Sequence, residues 1–237
     1  MNVLDSELVL GQLRAQGYVS VEDRENADVI LYNTCSVRQH AEQKVWSRLG
    51  EMRHWKKDRP NLVIGVVGCM AERDGVDLFR RYPHVDILCG PGELDKLPAL
   101  VHNAVTNSSI QNPNSKTQNR QVALMGANVR RSSTLDAAED HLELLDLSRS
   151  ISAEDNLAQA YVRITRGCNK FCTYCVVPYT RGPEVHRPPS NIIEEVKRLA
   201  GAGVLEVTLL GQTVNHYHYR HEDGRETSFA DLLYMIH

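Results

Sequence analysis

Short apolar runs alternate with segments of helical periodicity along the first 105 residues, and this alternation limits the fold more than any other feature. A helical repeat at the start of the chain closes at Gly17, and apolar runs follow at 28–32, 62–67 and 85–88. Buried strands separated by amphipathic helices indicate a parallel sheet with right-handed crossovers. The sequence therefore predicts an α/β fold in which a doubly wound parallel-sheet domain occupies residues 1–105.

Two cysteines directly follow the first two predicted strands. Cys35 stands in the run Asn-Thr-Cys-Ser, and Cys69 stands in the run Val-Gly-Cys-Met. Ligands of doubly wound domains gather at the carboxyl ends of the strands, so we expect both thiols at the same edge of the sheet. Cys89 ends the third run and could complete a three-cysteine site, although a cysteine there is more often a small buried hydrophobe. We take Cys35 and Cys69 as the candidate metal ligands of this edge.

Three further cysteines lie in one short run, Arg-Gly-Cys-Asn-Lys-Phe-Cys-Thr-Tyr-Cys. Cys168, Cys172 and Cys175 have the spacing C-x3-C-x2-C. Three thiolates on one loop can hold three irons of a cubane [4Fe-4S] cluster and leave the fourth iron open to another ligand. Zinc sites usually combine two ligand pairs, and no second pair lies nearby in the sequence. The alternatives are reduced structural cysteines or a zinc knuckle.

The rest of the chain divides into a polar stretch and a second α/β segment. Polar and acidic residues crowd 106–158, a composition that favours a flexible linker with room for one helical turn. Residues 159–237 contain two strand-like runs, a helix beginning near Ser190 and a further helix from Phe229. These are too few βα units to close a barrel.

Composition limits the cellular setting and the partners. No apolar window reaches the length of a membrane span, and the N-terminus lacks a signal-peptide pattern. We therefore expect a cytoplasmic protein that does not bind membranes, whose six cysteines are metal ligands or buried thiols rather than disulfides. The net charge of -3 gives no overall basic footprint for nucleic acid, so any RNA-binding surface must be local or lie elsewhere.

The two cysteine sites together resemble those of the methylthiotransferases, which are radical S-adenosylmethionine (SAM) enzymes. The likeness covers both folded parts but not the linker. Four runs carry it: Asn-Thr-Cys-Ser-Val-Arg at 33–38, Gly-Cys-Met-Ala at 68–71, Val-Val-Pro-Tyr-Thr-Arg-Gly at 176–182 and Leu-Leu-Gly-Gln-Thr-Val-Asn at 209–215. The branches that modify isopentenyladenosine, threonylcarbamoyladenosine or a ribosomal protein share this plan.

The resemblance implies a fold, two cofactor sites and a reaction. Residues 159–237 would begin a radical SAM partial (β/α) barrel. A [4Fe-4S] cluster on Cys168, Cys172 and Cys175 would bind SAM, and an auxiliary [4Fe-4S] cluster would use Cys35 and Cys69. A monomer would receive electrons from a separate donor and add a methylthio group to C2 of isopentenyladenosine at position 37, in the anticodon stem-loop of tRNA. The rival from another class is a non-catalytic iron–sulfur or zinc-binding module.

The chain departs from the family pattern at both ends. The first family motif is Gly-Cys-Gln-Met-Asn, of which only Met1 and Asn2 remain, so the third ligand of the auxiliary cluster and the strand before it are missing. Most of the partial barrel and the C-terminal RNA-binding TRAM domain are also missing. We therefore expect that upstream sequence encodes Gly-Cys-Gln, and that these 237 residues alone do not methylthiolate tRNA.

The other candidate functional residues each have an ordinary structural explanation as well. The histidines at 216, 218 and 221 could bind a metal, but an exposed loop is the commoner meaning. Arg166 and Arg181 either contact SAM or phosphate or are surface arginines. Glu194 and Glu195 stand near a helix start, where carboxylates favour the helix dipole.

Overall fold

Two α/β parts make up the structure. The computed structural model describes residues 2–36, 39–110, 120–124, 143–147, 149 and 158–237. The N-terminal part is built on a four-stranded sheet, and the C-terminal part begins with a two-stranded parallel pair.

The N-terminal sheet is parallel throughout. Its strands lie in the order β1 to β4: β1 Val29–Thr34, β2 Val63–Gly68, β3 Ile87–Cys89 and β4 Gln121–Ala123. The registers align the strand ends, with Thr34 opposite Gly68. The parallel sheet predicted from the alternating pattern is therefore confirmed.

Helices cover both faces of this sheet. They are α1 Asn2–Ala15, α2 Gln39–Asp58, α3 Cys69–Asp74, α4 Asp77–Arg81 and α5 Leu97–Ile110, with short 3-10 helices at Arg24–Asn26 and Leu94–Lys96. Helices α1 and α5 pack on one face, and α2, α3 and α4 pack on the other. This two-sided arrangement confirms the doubly wound class.

The alternation of side chains along β2 explains how one strand serves two cores. Val63 and Val67 belong to the cluster beneath α1 and α5, whereas Ile64 and Val66 belong to the cluster beneath α2 to α4. Successive side chains of a strand point to opposite faces, so a strand that is covered on both sides is apolar at every position. Gly65 leaves room for its neighbour, because a Cβ there would lie 2.6 Å from Leu31 Cδ2.

Three pieces of the predicted linker belong to the folded structure. Helix α5 continues to Ile110, and β4 pairs in parallel with β3, where the Gln121 N–H donates to the Asp86 carbonyl at 2.8 Å. A short helix, α6, spans 143–147 and buries Leu145 and Asp146. The sheet thus extends beyond the predicted boundary at residue 105, while residues 111–119, 125–142, 148 and 150–157 lie outside the described part of the chain.

The C-terminal part is a βαβ unit with two hairpins. Its elements are β5 Gln159–Arg163, β6 Thr165–Arg166, α7 Val177–Thr180, β7 Val185–His186, α8 Pro189–Gly201, β8 Glu206–Leu210, β9 His218–Arg220, β10 Glu226–Ser228 and α9 Phe229–Ile236. Strands β5 and β8 pair in parallel through α8, whose residues Ile192 and Leu199 are fully buried against them. The Ser228 hydroxyl accepts the Asp231 N–H at 3.3 Å and caps α9, which starts at Phe229 as predicted.

Candidate metal centres

Cys35 and Cys69 occupy neighbouring positions at the carboxyl edge of the N-terminal sheet. Thr34 and Gly68 are the last paired residues of β1 and β2, and each cysteine is the next residue in its chain segment. Paired parallel strands lie about 4.8 Å apart, so the two chain segments leave the sheet side by side. The register thus supports the predicted placement of both cysteines at one edge.

The backbone around these cysteines is tightly fixed. The Thr34 hydroxyl donates to the Val67 carbonyl at 2.7 Å and accepts the Met70 N–H at 3.1 Å, which ties the end of β1 to the start of α3. Gly68 has a φ of 93°, and a Cβ there would lie 2.6 Å from the Thr34 carbonyl oxygen. Only glycine permits this close approach without strain. The first turn of α3 therefore holds Cys69 firmly against the end of β1.

Cys89 lies deeper in the fold than the other two cysteines. Its partner in the sheet is Val67, two residues before Cys69, so its backbone is set back from the edge. The Cys89 thiol is fully buried and donates to the Glu93 carbonyl at 3.2 Å. Burial raises the pKa of this thiol well above its ordinary value, which disfavours the thiolate that a metal requires. These observations support the interpretation of Cys89 as a buried small hydrophobe.

The loop with the other three cysteines is anchored at its start. The Cys168 N–H donates to the Gly182 carbonyl at 3.1 Å, and Gly167 has a φ of 64°. Within the loop, the Cys175 N–H donates to the Cys172 carbonyl at 2.9 Å. Phe171 has a φ of 44°, a left-handed conformation that non-glycine residues adopt rarely and mostly at functional sites. The backbone of this loop therefore has a specific shape rather than an arbitrary one.

The three sulfurs differ in exposure and are not gathered around one point. Cys168 is buried, Cys175 is half-buried and Cys172 is exposed. Within the ranges that the structure describes, no three His, Cys, Asp or Glu side chains are arranged to hold a metal ion. The donor chemistry nevertheless fits an iron–sulfur cluster, because three free thiols share one short loop whose ends are fixed by backbone hydrogen bonds. We therefore take the loop as a fitting site for three cluster ligands.

Replacement of Gly167 by alanine tests the importance of the loop anchor. A Cβ at this position would lie 1.8 Å from the Pro183 carbonyl oxygen, so the backbone must move. In a background with Cys35 and Cys69 both changed to alanine, we expect Gly167→Ala to lose most of the iron taken up on anaerobic reconstitution.

Gly224→Ala is the matched control for this prediction. Gly224 has a φ of 82°, but nothing lies within 4 Å of a Cβ there. The substitution should cost only the left-handed strain of about 1–2 kcal/mol and leave the iron content unchanged. Equal iron in the two variants would show that the anchor does not matter.

Arg181 connects the two cysteine sites. It follows α7, which packs against α3, the helix that begins with Cys69. Arg181 Nη2 donates to Asp5 Oδ2 at 2.8 Å. Its side chain is only 6% exposed, so the reading of Arg181 as a surface arginine is wrong. Burial lowers the pKa of this guanidinium, but Asp5 and Cys69 outweigh that effect and the net shift is upward.

A buried network of charged side chains extends this contact through the molecule. Asp146 lies near its centre at 1% exposure, ion-paired with Arg166 and lying 3.5 Å from Arg163 Nη2 and 3.7 Å from Arg187 Nε. Burial alone would raise the pKa of the Asp146 carboxyl. The surrounding guanidinium groups lower this pKa by a larger amount, so it lies below its ordinary value. The other members are Asp5, Glu7, Glu143, Glu195, Arg149 and Arg181.

The network overturns two interpretations made from the sequence. Arg166 is a buried ion-pair partner rather than a surface residue. Glu195 does not stabilise the dipole of α8, because its carboxylate is buried and accepts a hydrogen bond from Arg187 Nη1 at 2.8 Å. Periodicity could not reveal this, since the partners lie outside the helix that carries Glu195 and the strand that carries Arg166. The sequence feature that points to this network is the charged Glu195 on the otherwise apolar face of α8.

The histidines of the last hairpin form separate contacts. His216 Nδ1 lies 3.5 Å from Glu184, His218 Nε2 lies 3.2 Å from Glu226, and His221 bonds the Thr227 hydroxyl at 2.8 Å. In the described residues they do not form a metal-binding group. The ordinary reading of an exposed histidine loop is therefore the better one.

Two family models match the chain on either side of its middle segment. Residues 1–90 match the model described as Uncharacterized protein family UPF0004, and residues 162–232 match that of the Radical SAM superfamily. Curated relatives align along the whole of this chain. The chain therefore contains a radical SAM domain and is similar along its whole length to curated tRNA methylthiotransferases. The radical SAM superfamily implies a [4Fe-4S] cluster and SAM as cofactors.

Three relatives, all called tRNA-2-methylthio-N(6)-dimethylallyladenosine synthase, illustrate the similarity. The protein from Rhodopirellula baltica is 44% identical over 237 residues, which is all of this chain and 47% of the relative. Those from Dictyoglomus thermophilum and Actinobacillus succinogenes are 42% and 40% identical over the same 237 residues, which are 48% and 45% of their lengths. The chain thus spans about half the length of the curated relatives it matches.

Among the described residues, no helix combines the length and the apolar character needed to cross a bilayer.

Proposed function

We propose that this chain forms the cluster-bearing part of a methylthiotransferase that adds a methylthio group to C2 of N(6)-isopentenyladenosine at position 37 of tRNA. One observation carries the proposal. Helix α3, which begins with Cys69, packs on α7, which directly follows the loop of Cys168, Cys172 and Cys175. A sulfur-donating site and a radical-generating site must act on the same substrate carbon, so their adjacency is what this reaction requires. The names of the three relatives support the same substrate.

The proposed ligands fall into two sets. Cys168, Cys172 and Cys175 would hold the [4Fe-4S] cluster that binds SAM, and Cys35 and Cys69 would contribute to an auxiliary [4Fe-4S] cluster. The cluster that Cys168, Cys172 and Cys175 would hold would supply, when bound and reduced, the one-electron chemistry needed to cleave SAM and activate an unreactive C–H bond. The chemistry belongs to the cofactors, and the protein positions them and excludes competing reactions.

The residues of the chain itself provide two conditions for this chemistry. Cys69 is buried under the contact between α3 and α7, so its sulfur is shielded from water. Arg181 brings a permanent positive charge to that sulfur, and Asp5 fixes the direction of the guanidinium group. Thiolates bound to iron carry negative charge, which a buried guanidinium stabilises.

The proposed partners follow from the substrate. A base in the anticodon loop can leave the stack and be read in a pocket, as single-stranded RNA usually is. The net charge of -3 gives no overall basic footprint, so the RNA-binding surface would be local or lie elsewhere. A separate electron donor would reduce the clusters, and a cytoplasmic monomer would meet both partners.

Analysis of tRNA nucleosides tests the proposal directly. Cells that lack their own enzyme would express the protein from its full reading frame or its Cys172→Ala variant. We expect 2-methylthio-N(6)-dimethylallyladenosine to accumulate with the first and to stay at background with the second. Accumulation of a methylthiolated threonylcarbamoyladenosine instead would assign the protein to another branch of the family. The dimethylallyl product in the Cys172→Ala cells would contradict the proposed role of the loop.

A further inference from the structure

Five exposed basic side chains lie on the face of the N-terminal sheet that α2, α3 and α4 cover. Arg53 and Lys57 are four residues apart on α2, so they lie one above the other on the same flank of the helix. Arg80 and Arg81 belong to α4, and Arg120 directly precedes β4. We call these five residues the α2–α4 surface.

Aromatic rings join the two helices beneath this surface. The ring of Trp46 on α2 stacks in parallel on that of Tyr82, which follows α4, with 5.3 Å between the centroids. The Arg81 guanidinium lies over Trp46 at 4.8 Å, and that of Arg120 lies over Phe79 at 4.7 Å. Cation–π contacts of this kind hold a guanidinium group in place but leave its N–H donors available for an anion.

The α2–α4 surface carries surplus positive charge. Asp77 pairs with Arg80 at 2.8 Å, but these side chains are 70% and 82% exposed, so the pair is weak. Glu42 lies on the same flank of α2 and is already paired with Arg73. Among the described residues, the other four members of the surface have no ion-pair partner. The chain as a whole has a net charge of -3, so this positive charge is a local concentration.

A glycine leaves the backbone of α2 bare in the middle of this flank. Gly50 lies one turn after Trp46 and one turn before Arg53, in the interior of a 20-residue helix where alanine is more stable. A Cβ there would meet nothing within 4 Å, so packing inside the described structure does not require glycine. A missing side chain allows a ligand to approach the helix backbone closely. The flank thus offers an open path between its basic residues.

We propose that the α2–α4 surface binds the sugar-phosphate backbone of RNA, in the anticodon arm of the tRNA substrate. The identity of this RNA rests on the proposed function, whereas the chemistry of the surface does not. Guanidinium groups match phosphate geometry, and neutralised phosphates release counterions. Helix α2 begins at Gln39, shortly after Cys35, and Trp46 lies about 10 Å further along its axis. A strand that places one base at the cysteine edge can therefore continue along this flank.

Removal of two charges from the flank tests the proposal. Fluorescence anisotropy would follow a labelled anticodon stem-loop RNA titrated, at several salt concentrations, with the protein expressed from its full reading frame. We expect Arg53→Gln with Lys57→Gln to bind about tenfold more weakly and to reduce the slope of log affinity against log salt by about 1.5–2. The urea midpoint should equal that of the parent, since both side chains are exposed.

The opposite flank of the same helix supplies the matched control. Lys44 and Arg48 are also four residues apart and exposed, but Arg48 lies about 140° around the helix from Arg53. Lys44→Gln with Arg48→Gln makes the same change in net charge, and we expect affinity and salt slope close to those of the parent.

Gly50→Leu tests the close approach without removing any charge. Leucine favours the helix more than glycine does, so the urea midpoint should stay equal or rise. Its side chain would occupy the open path, and we expect RNA binding to weaken several-fold. Parent-like affinity in this variant would overturn the close approach at Gly50.

The remaining outcomes decide between partners. Equal losses in the two double variants, or no RNA binding by the parent at low salt, would overturn the proposal. Unchanged RNA affinity in Arg53→Gln with Lys57→Gln, together with slower reduction of the protein by an acidic electron carrier, would assign the surface to a protein partner instead. The nucleoside assay reports on the reaction separately. If RNA affinity falls as expected but no methylthio product forms with any form of the protein, the proposed function fails and the RNA surface is retained.

Discussion

Replacement of Asp146 by asparagine is expected to lower the free energy of unfolding by about 3–5 kcal/mol at neutral pH. Asp146 is almost completely buried between Arg163, Arg166 and Arg187, and asparagine keeps its shape but removes its charge. The loss leaves buried positive charge without its central counter-ion, which costs far more than an exposed ion pair contributes. Urea unfolding followed by circular dichroism measures the difference.

The effect of Asp146→Asn should also depend on pH. The pKa of Asp146 is lowered in the folded protein, so the carboxylate contributes its stability above the pKa of the unfolded chain. That contribution is lost as the pH falls through the folded pKa. The gap between the two proteins should therefore be largest near neutral pH and close progressively in acid.

Glu51→Gln is the control for this prediction. Glu51 pairs with Arg48 on the surface of α2, with both side chains about half exposed. Exposed pairs of this kind contribute about 0–1 kcal/mol, so the variant should unfold almost like the wild type. An Asp146→Asn protein as stable as Glu51→Gln at neutral pH would show that the buried network does not hold the two parts together.

Two cysteine variants should separate SAM cleavage from sulfur insertion. Cys172→Ala removes a proposed ligand of the SAM-binding cluster, so we expect formation of 5'-deoxyadenosine from SAM to fall to background. A variant with Cys35 and Cys69 changed to alanine lacks only the proposed sulfur donor. It should still cleave SAM but form no methylthio product on a tRNA substrate, as measured by liquid chromatography with mass spectrometry.

Cys89→Ala is the matched control for both variants. Cys89 is buried and set back from the edge that carries Cys35 and Cys69. Its replacement should cost some stability through a small cavity but leave both reactions intact. Loss of sulfur insertion in Cys89→Ala alone would make Cys89 a ligand and contradict the assignment made from its burial.

The sequence predicted the elements whose side chains repeat with a regular period. The apolar residues of β2 indicated a strand covered on both faces, and the structure places them in two separate cores. The helix from Phe229 was predicted within one residue, because Ser228 and Asp231 cap it locally. Such features depend on neighbours in the chain, and the sequence contains those neighbours.

The sequence could not predict elements that depend on distant backbone. Strand β4 is only three residues long and is held by parallel pairing with β3, so the short apolar run at 122–125 was not recognised as a strand within the polar segment. Helix α6 is similar, because Asp146 reads as a surface residue until the arginines of the C-terminal part surround it.

The candidate sites also divide into features that the sequence predicts and features that depend on distant parts of the fold. Spacing alone identified Cys168, Cys172 and Cys175, and strand order identified the edge that carries Cys35 and Cys69. The ion pair of Arg181 with Asp5 depends on the packing of α7 on α3, which brings together residues more than a hundred positions apart. Local spacing shows which ligands share a loop, but it does not show which charges meet across the fold.

Electron paramagnetic resonance of the reduced protein, with and without SAM, tests most directly whether two distinct clusters are present. We expect the protein expressed from its full reading frame to show two clusters. The variant with Cys168, Cys172 and Cys175 changed to alanine should keep one cluster whose signal does not respond to SAM. The variant with Cys35 and Cys69 changed to alanine should keep one cluster whose signal changes when SAM is added. A SAM response in the first variant, or its absence in the second, would contradict the assignment of the two sites.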